Sequence, residues 1–192
     1  WKWILGLIAF GAILIFSIGL GLFGRLPDLR MLENPKSYQA SEVISSDDIV
    51  LGTYYVQNRS NVRYDEISPN VINALIATED IRFYSHSGID FKRTFTVIFY
   101  NLAGKRQGAS TITQQLARSL FLSAERTFDR KVRELILAYK MELVLTKEQI
   151  LEMYLNQIYF GQGAYGVAAA SQTYFGKELS KLTLAESAFL AG

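Results

Sequence analysis

From Trp3 to Gly24 the chain carries no charged residue, with Lys2 before the run and Arg25 after it. About 20 apolar residues at about 1.5 Å rise cross a hydrocarbon core of about 30 Å. Residues 1–24 therefore read as one transmembrane anchor, with Trp1 and Trp3 where an interfacial aromatic belt sits. A cleaved signal peptide competes, but its apolar region normally spans only about 7–15 residues. Residues 25–67 hold Pro27, Pro35 and scattered Ser, Asn and Asp, and read as a linker leaving the membrane. One short strand is expected within it, where Ile49 to Val56 is rich in β-branched and aromatic residues.

Beyond residue 67 the pattern turns helical. Ser68-Pro69 is a cap followed by proline at the first helical position, opening a helix through Val71, Ile72, Leu75 and Ile76. Gly108-Ala109-Ser110 opens a second, with Ile112, Leu116 and Leu120 on one side. A third runs from Thr127 to Leu145, with Val132, Leu135, Tyr139 and Leu143 at core spacing. Thr146 and Gln149 form a capping box for a fourth, which Gly161 ends. Ala164 to Phe175 is a small-residue helix stopped by Gly176, and Thr183 with Glu186 opens the last. The fold class is mainly α, with one domain over 68–192 that is still helical at its final residues, so a longer parent chain is expected. Phe91 to Tyr100 is apolar on more than one face and carries Lys92 and Arg93. It fits either a helix lying in a bilayer interface or a fully buried core helix.

Composition narrows the chemistry. The hydrophobic fraction of 49% is slightly high, with much of the excess in the first 24 residues. Without cysteine there is no disulfide, thiolate metal site or cysteine nucleophile. With His86 as the single histidine, a zinc site would need mostly carboxylates. No nucleophile elbow accompanies a Ser-His-Asp arrangement. A net charge of +2 does not point to nucleic acid, but seven Lys or Arg between Lys105 and Arg133 face only Glu125 and Asp129. That imbalance fits an anionic ligand, or else a solvated basic helix face.

Three clusters carry candidate chemistry. Glu79 and Asp80 fall at the C-terminal end of the Ser68-capped helix, where the helix dipole disfavours anions. A carboxylate held there is expected to have a raised pKa, suited to a general base; the bland alternative is an acidic turn paired with Arg82. In the second cluster, Ser110 precedes a helix on which Thr111, Gln114, Gln115 and Arg118 share a face opposite Ile112, Leu116 and Leu120. That helix N-terminus favours phosphate oxygens and the face offers amides, hydroxyls and a guanidinium; it also fits an ordinary solvated surface. In the third, Arg118, Arg126, Arg130, Lys131 and Arg133 are placed to surround a pyrophosphate, with Glu134 orienting them or a metal ion. Alternatively Glu134 is a plain helical ion pair. Its basic neighbours should keep it ionised, which leaves the two glutamates different roles.

Together these segments resemble the glycosyltransferase domain of class A penicillin-binding proteins and the related monofunctional transglycosylases. The matching stretches are Ala77 to Asp80 with Phe83 and His86 to Gly88, then Gly108 to Phe121, Arg130 to Glu134, Ile150 to Asn156, and Tyr174 to Lys177. They occur in the family's order across about 68–192, behind a membrane anchor in the right place. The resemblance implies a lysozyme-like, mainly α fold whose smaller lobe dips into the membrane. It implies polymerisation of lipid II into β-1,4-linked glycan with inversion and release of undecaprenyl pyrophosphate. Glu79 would be the base and Glu134 would assist. Substrate would meet Asp80, Phe83, Ser110, Thr111, Gln114, Gln115, Arg118, Arg126, Arg130, Lys131 and Arg133. No cofactor is required; a divalent cation, Mg or Mn, is an optional helper, and no residue is assigned as a metal ligand. Arg118 stands where lysine is usual and Ser119 where asparagine is usual, which changes donor geometry at one phosphate contact.

Expected partners are lipid II, the growing lipid-linked glycan, the membrane, a C-terminal transpeptidase domain and other cell-wall synthesis proteins, with no nucleic acid. The location implied is the outer face of the bacterial inner membrane. No Ser-x-x-Lys acylation motif is present, so β-lactam binding is not expected of these residues. Two rivals stand: a muramidase or lytic transglycosylase, and a non-catalytic membrane-tethered peptidoglycan-binding protein.

Overall fold

A computed structural model describes residues 61–105, 108–123, 125 and 127–192, with residues 1, 5–6, 9, 27, 31–32, 41–47, 50–54 and 58–59 before them. The apolar run from Trp3 to Gly24 lies almost wholly outside the described residues. Among those described, no helix is long and apolar enough to cross a membrane.

The expected strand is present as β2 (Val50–Tyr54), paired antiparallel with β1 (Ser41–Ile44), which the sequence pattern did not announce. A second small ribbon joins β3 (Asn58–Arg59) in parallel to β4 (Ala164–Tyr165), tying the linker to a segment more than a hundred residues later. Just beyond it, the Asn156 carboxamide accepts from the Val62 N–H (2.9 Å) and donates to its carbonyl (2.7 Å). Glu152 accepts from the Tyr64 N–H at 2.7 Å, so the linker's end is strapped to the helical body by side chains acting as backbone partners.

Seven helices follow among the described residues: α1 (Pro69–Glu79), α2 (Phe91–Leu102), α3 (Ile112–Phe121), α4 (Phe128–Val144), α5 (Lys147–Gln157), α6 (Val167–Phe175) and α7 (Leu184–Ala191). Local chemistry sets their starts. Ser68, Asp90, Thr111, Thr127, Thr146 and Thr183 each accept a first-turn N–H, each cap contributing about 1 kcal/mol. Both expected capping boxes form, at Thr146 with Gln149 and Thr183 with Glu186. Three boundaries differ from the sequence expectation. The second helix begins at Ile112, because Thr111 rather than Ser110 caps it. The fourth ends at Gln157, with Gly161 four residues on in a turn. The small-residue helix begins at Val167, because Ala164–Tyr165 is taken by strand pairing.

α3 packs between α4 and α5, and α1 packs on α7. The core runs through Val71, Leu75, Phe83, Ile112, Leu116, Leu137, Met141, Ile150, Leu151 and Leu155. Each such side chain contributes about 1.5–3 kcal/mol on burial. On α4 the inward face is Glu134, Leu137, Ala138 and Met141. Tyr139 and Leu143, expected in the core, are more than half exposed. α2 is not a fully buried helix: Phe91, Phe95, Phe99 and Leu102 form an outward stripe 63–80% exposed, with Val97 buried opposite.

One glycine is required where α4 meets the loop after α1. Gly88 has φ +81°, and a Cβ there would lie 2.7 Å from the Ala138 carbonyl oxygen. The left-handed backbone and the clash with a helix carbonyl add, so Gly88→Ala is expected to destabilise the domain by roughly 3 kcal/mol. Urea denaturation checks this; a change under about 1 kcal/mol would mean that the loop yields easily.

Candidate active site

The two adjacent carboxylates at the end of α1 part company. Asp80 is fully buried, and accepts from the Ile112 N–H at 3.1 Å and from His86 Nε2 at 3.0 Å. It thus occupies the N-terminus of α3, where the helix dipole favours an anion. That corrects the expectation of a phosphate there: the protein's own carboxylate fills the position. Phe83 is also fully buried, with the Lys147 ammonium 4.3 Å from its ring centre. Asp80 and Phe83, expected to meet substrate, are thereby placed inside, where they hold neighbouring elements together.

Glu79 turns the other way, half-buried at a cleft of about 400 Å³ lined by Val71, Leu75, Gln115, Tyr154 and Tyr174 among others. Gln115 Nε2 donates to Glu79 Oε2 at 2.7 Å. The Arg93 guanidinium, reaching over from α2, donates to the main-chain carbonyl of Glu79. Tyr154 donates to the other end of the Gln115 amide at 3.1 Å. Tyr154 was not singled out by sequence reasoning, since in a helical pattern it is one more apolar core position.

Glu134 is fully buried on α4, and both its oxygens are engaged: Oε2 by Arg130 Nη1 at 3.1 Å, Oε1 by Lys131 Nζ. The same ammonium reaches Ser110 Oγ (3.0 Å) and Gln114 Oε1 (3.1 Å). Two cations on one buried anion leave a surplus of positive charge. Arg130 Nε and Arg133 Nε are buried donors without a protein partner among the described residues. Arg133 is otherwise paired with Asp129 at 2.5 Å. Arg126 lies outside the described residues.

The polar face expected on α3 is therefore divided. Thr111 and Gln114 are buried and both donate to the Gly88 carbonyl, at 2.6 and 3.2 Å. Gln115 serves Glu79, and Arg118 stands exposed. The cause is packing: with α4 on one side and α5 on the other, little of α3 is left to solvent. Adjacent residues Gln114 and Gln115 thus connect one helix to both glutamates.

Asp80, His86 and Asp90 bring potential metal-ligand atoms within 4.8 Å of one another. The two carboxylates already accept protein donors, Asp80 from the Ile112 N–H and His86, while His86 Nδ1 has no partner among the described residues. Arg82 binds Asp90 through two nitrogens at 2.8 and 3.0 Å, and the Arg93 N–H caps it at 2.8 Å. Burial pushes the Asp90 carboxyl up, but these donors outweigh it and hold the carboxyl below the usual carboxylate range. Both Glu134 oxygens likewise already face cations of the protein itself.

The transglycosylase family model matches residues 47–192. Penicillin-binding protein 1A of Aquifex aeolicus (strain VF5) is 47% identical over 98% of this chain and 26% of the relative. Penicillin-binding protein 1A of Neisseria flavescens is 46% identical over 97% of the chain and 24% of its own length. That of Escherichia coli (strain K12) is 45% identical, over 96% and 22%. The chain spans about a quarter of the length of these relatives. On the strength of that match, and of a buried-carboxylate and cation arrangement built from the matched segments, the chain belongs to the transglycosylase family, the peptidoglycan glycosyltransferases.

Proposed function

We propose that this domain polymerises lipid II into β-1,4-linked glycan with inversion, using Glu79 as general base. The observation that carries this reading is the separation of roles: an amide-held carboxylate at an open cleft, and a second carboxylate buried under a surplus of cations. In the step proposed, the acceptor's 4-hydroxyl gives its proton to Glu79. Its oxygen bonds to the donor's anomeric carbon, and the carbon–oxygen bond to undecaprenyl pyrophosphate breaks with the electron pair leaving on oxygen. Arg118, Arg126, Arg130, Lys131 and Arg133 offset the charge that develops there. Glu134 orients Arg130 and Lys131. No cofactor takes part; a Mg or Mn ion, when present, accompanies the pyrophosphate.

A lysozyme-like arrangement of the mainly helical domain, anchored by residues 1–24 at the outer face of the bacterial inner membrane, is part of the same reading. The outward stripe of α2, with Lys92 near its start, suits a bilayer interface. In the full-length protein a transpeptidase domain would receive the growing lipid-linked glycan. A hydrolase acting on finished glycan needs no pyrophosphate cradle, and a binding module needs no held base. Incubating the full-length protein in detergent with labelled lipid II is expected to give a ladder of lysozyme-sensitive glycan. Release of fragments from preformed peptidoglycan instead would move the assignment to the hydrolase.

A further inference from the structure

Tyr154 on α5 is 4% exposed, and its ring belongs to the apolar core. Its hydroxyl is nonetheless at the cleft, donating to Gln115 Oε1 at 3.1 Å while Gln115 Nε2 donates to Glu79 Oε2 at 2.7 Å. We propose that Tyr154 is a positioning residue for glycan polymerisation, fixing the Gln115 amide so that its NH2 end holds the Glu79 carboxylate in place. The proposal rests on Glu79 being the base.

The chemistry of the three groups makes the hydroxyl matter. An ionised carboxylate only accepts, so it requires the donor end of the amide, which leaves the amide oxygen facing the Tyr154 hydroxyl. Without a partner there, that half-buried oxygen would lose its protein hydrogen bond, and the side chain would gain by swinging towards water and withdrawing its NH2 from Glu79. Burial and the neighbouring Glu79 charge push the Tyr154 phenol far above its ordinary range, with Arg118 opposing, so the hydroxyl stays protonated throughout the working range. Once Glu79 has taken the acceptor's proton, the demand reverses. The carboxyl then donates, the amide can turn its oxygen towards Glu79 and its NH2 towards Tyr154, and the phenol oxygen accepts. A hydroxyl serves both orientations; the phenyl ring of Phe serves neither.

The test compares variants of the full-length protein on lipid II. Tyr154→Phe is expected to lower kcat about tenfold with KM nearly unchanged. Withdrawal of the Gln115 NH2 from the charged base should also move the acidic limb of the kcat–pH profile upward. Gln115→Met should do at least as much, and adding Tyr154→Phe to it should change nothing further. Wild-type kcat and pH profile in Tyr154→Phe would overturn the proposal, as would a full additional loss in the double variant. If Tyr154→Phe fails to fold, an unmoved acidic limb in Gln115→Met overturns it instead. Glu79→Gln separates the two readings: if that variant still turns over, the base is elsewhere. If it is inactive while Tyr154→Phe is normal, only the positioning role is lost.

Discussion

Glu79→Gln is expected to lower glycan polymerisation from lipid II by about 10³-fold, within the 10²–10⁴ that a positioned acid or base supplies. The change keeps the shape of the side chain and its hydrogen bond, since the new amide oxygen still accepts from Gln115 Nε2. What it removes is the capacity to take a proton. Glu79 is only half-buried and carries no ion pair among those recorded for the described residues, so no buried cation is stranded and the melting temperature should hardly move. The same labelled ladder reads the result, with thermal denaturation run beside it. Turnover near the wild-type rate would place the base on another residue.

Glu134→Gln has a different signature, because it touches stability and rate together. Both oxygens of a fully buried carboxylate accept from cations, and a neutral amide gives them one acceptor and one misdirected donor. Breaking a fully buried pair costs about 3–5 kcal/mol. Arg130 is 14% exposed and Lys131 40%, so water recovers part of that, and about 2 kcal/mol of lost stability is expected. Released from Glu134, the two cations lose their fixed geometry, and on the proposed mechanism, in which they face the leaving pyrophosphate, turnover should fall roughly 10–100-fold. A variant that is less stable yet turns over normally would reduce Glu134 to a structural ion pair.

The caps were legible in the sequence because a cap is a local event: Ser68, Thr127, Thr146 and Thr183 need only their own first turn. So were the cations around Glu134, since Arg130 and Lys131 are its sequence neighbours, whereas the groups that hold Glu79 come from residues 93 and 115. What stayed hidden depends on distant packing. Asp80 looks like a second active-site acid until α3, some thirty residues on, supplies the N–H that it caps. Gln114 looks like a sugar contact until Gly88 and Lys131 take it inside. On α4 the hydrophobic spacing points Tyr139 and Leu143 to the core, and the structure turns both outward. The true inward face contains Glu134, which a reading based on hydrophobicity passes over because it is charged. Tyr154 stayed hidden for the converse reason: its ring is core, while its single polar atom reaches the cleft.

The bond from the Ile112 amide to Asp80 gives the protein a built-in reporter. Glu79 and Asp80 are consecutive, so the stretch of backbone that carries the proposed base cannot shift without pulling on the carboxylate next to it. Ile112 is fully buried, and its amide hydrogen reaches solvent only when that carboxylate lets go. Hydrogen exchange at one backbone position therefore counts how often the junction between the end of α1 and the start of α3 opens, without any substrate.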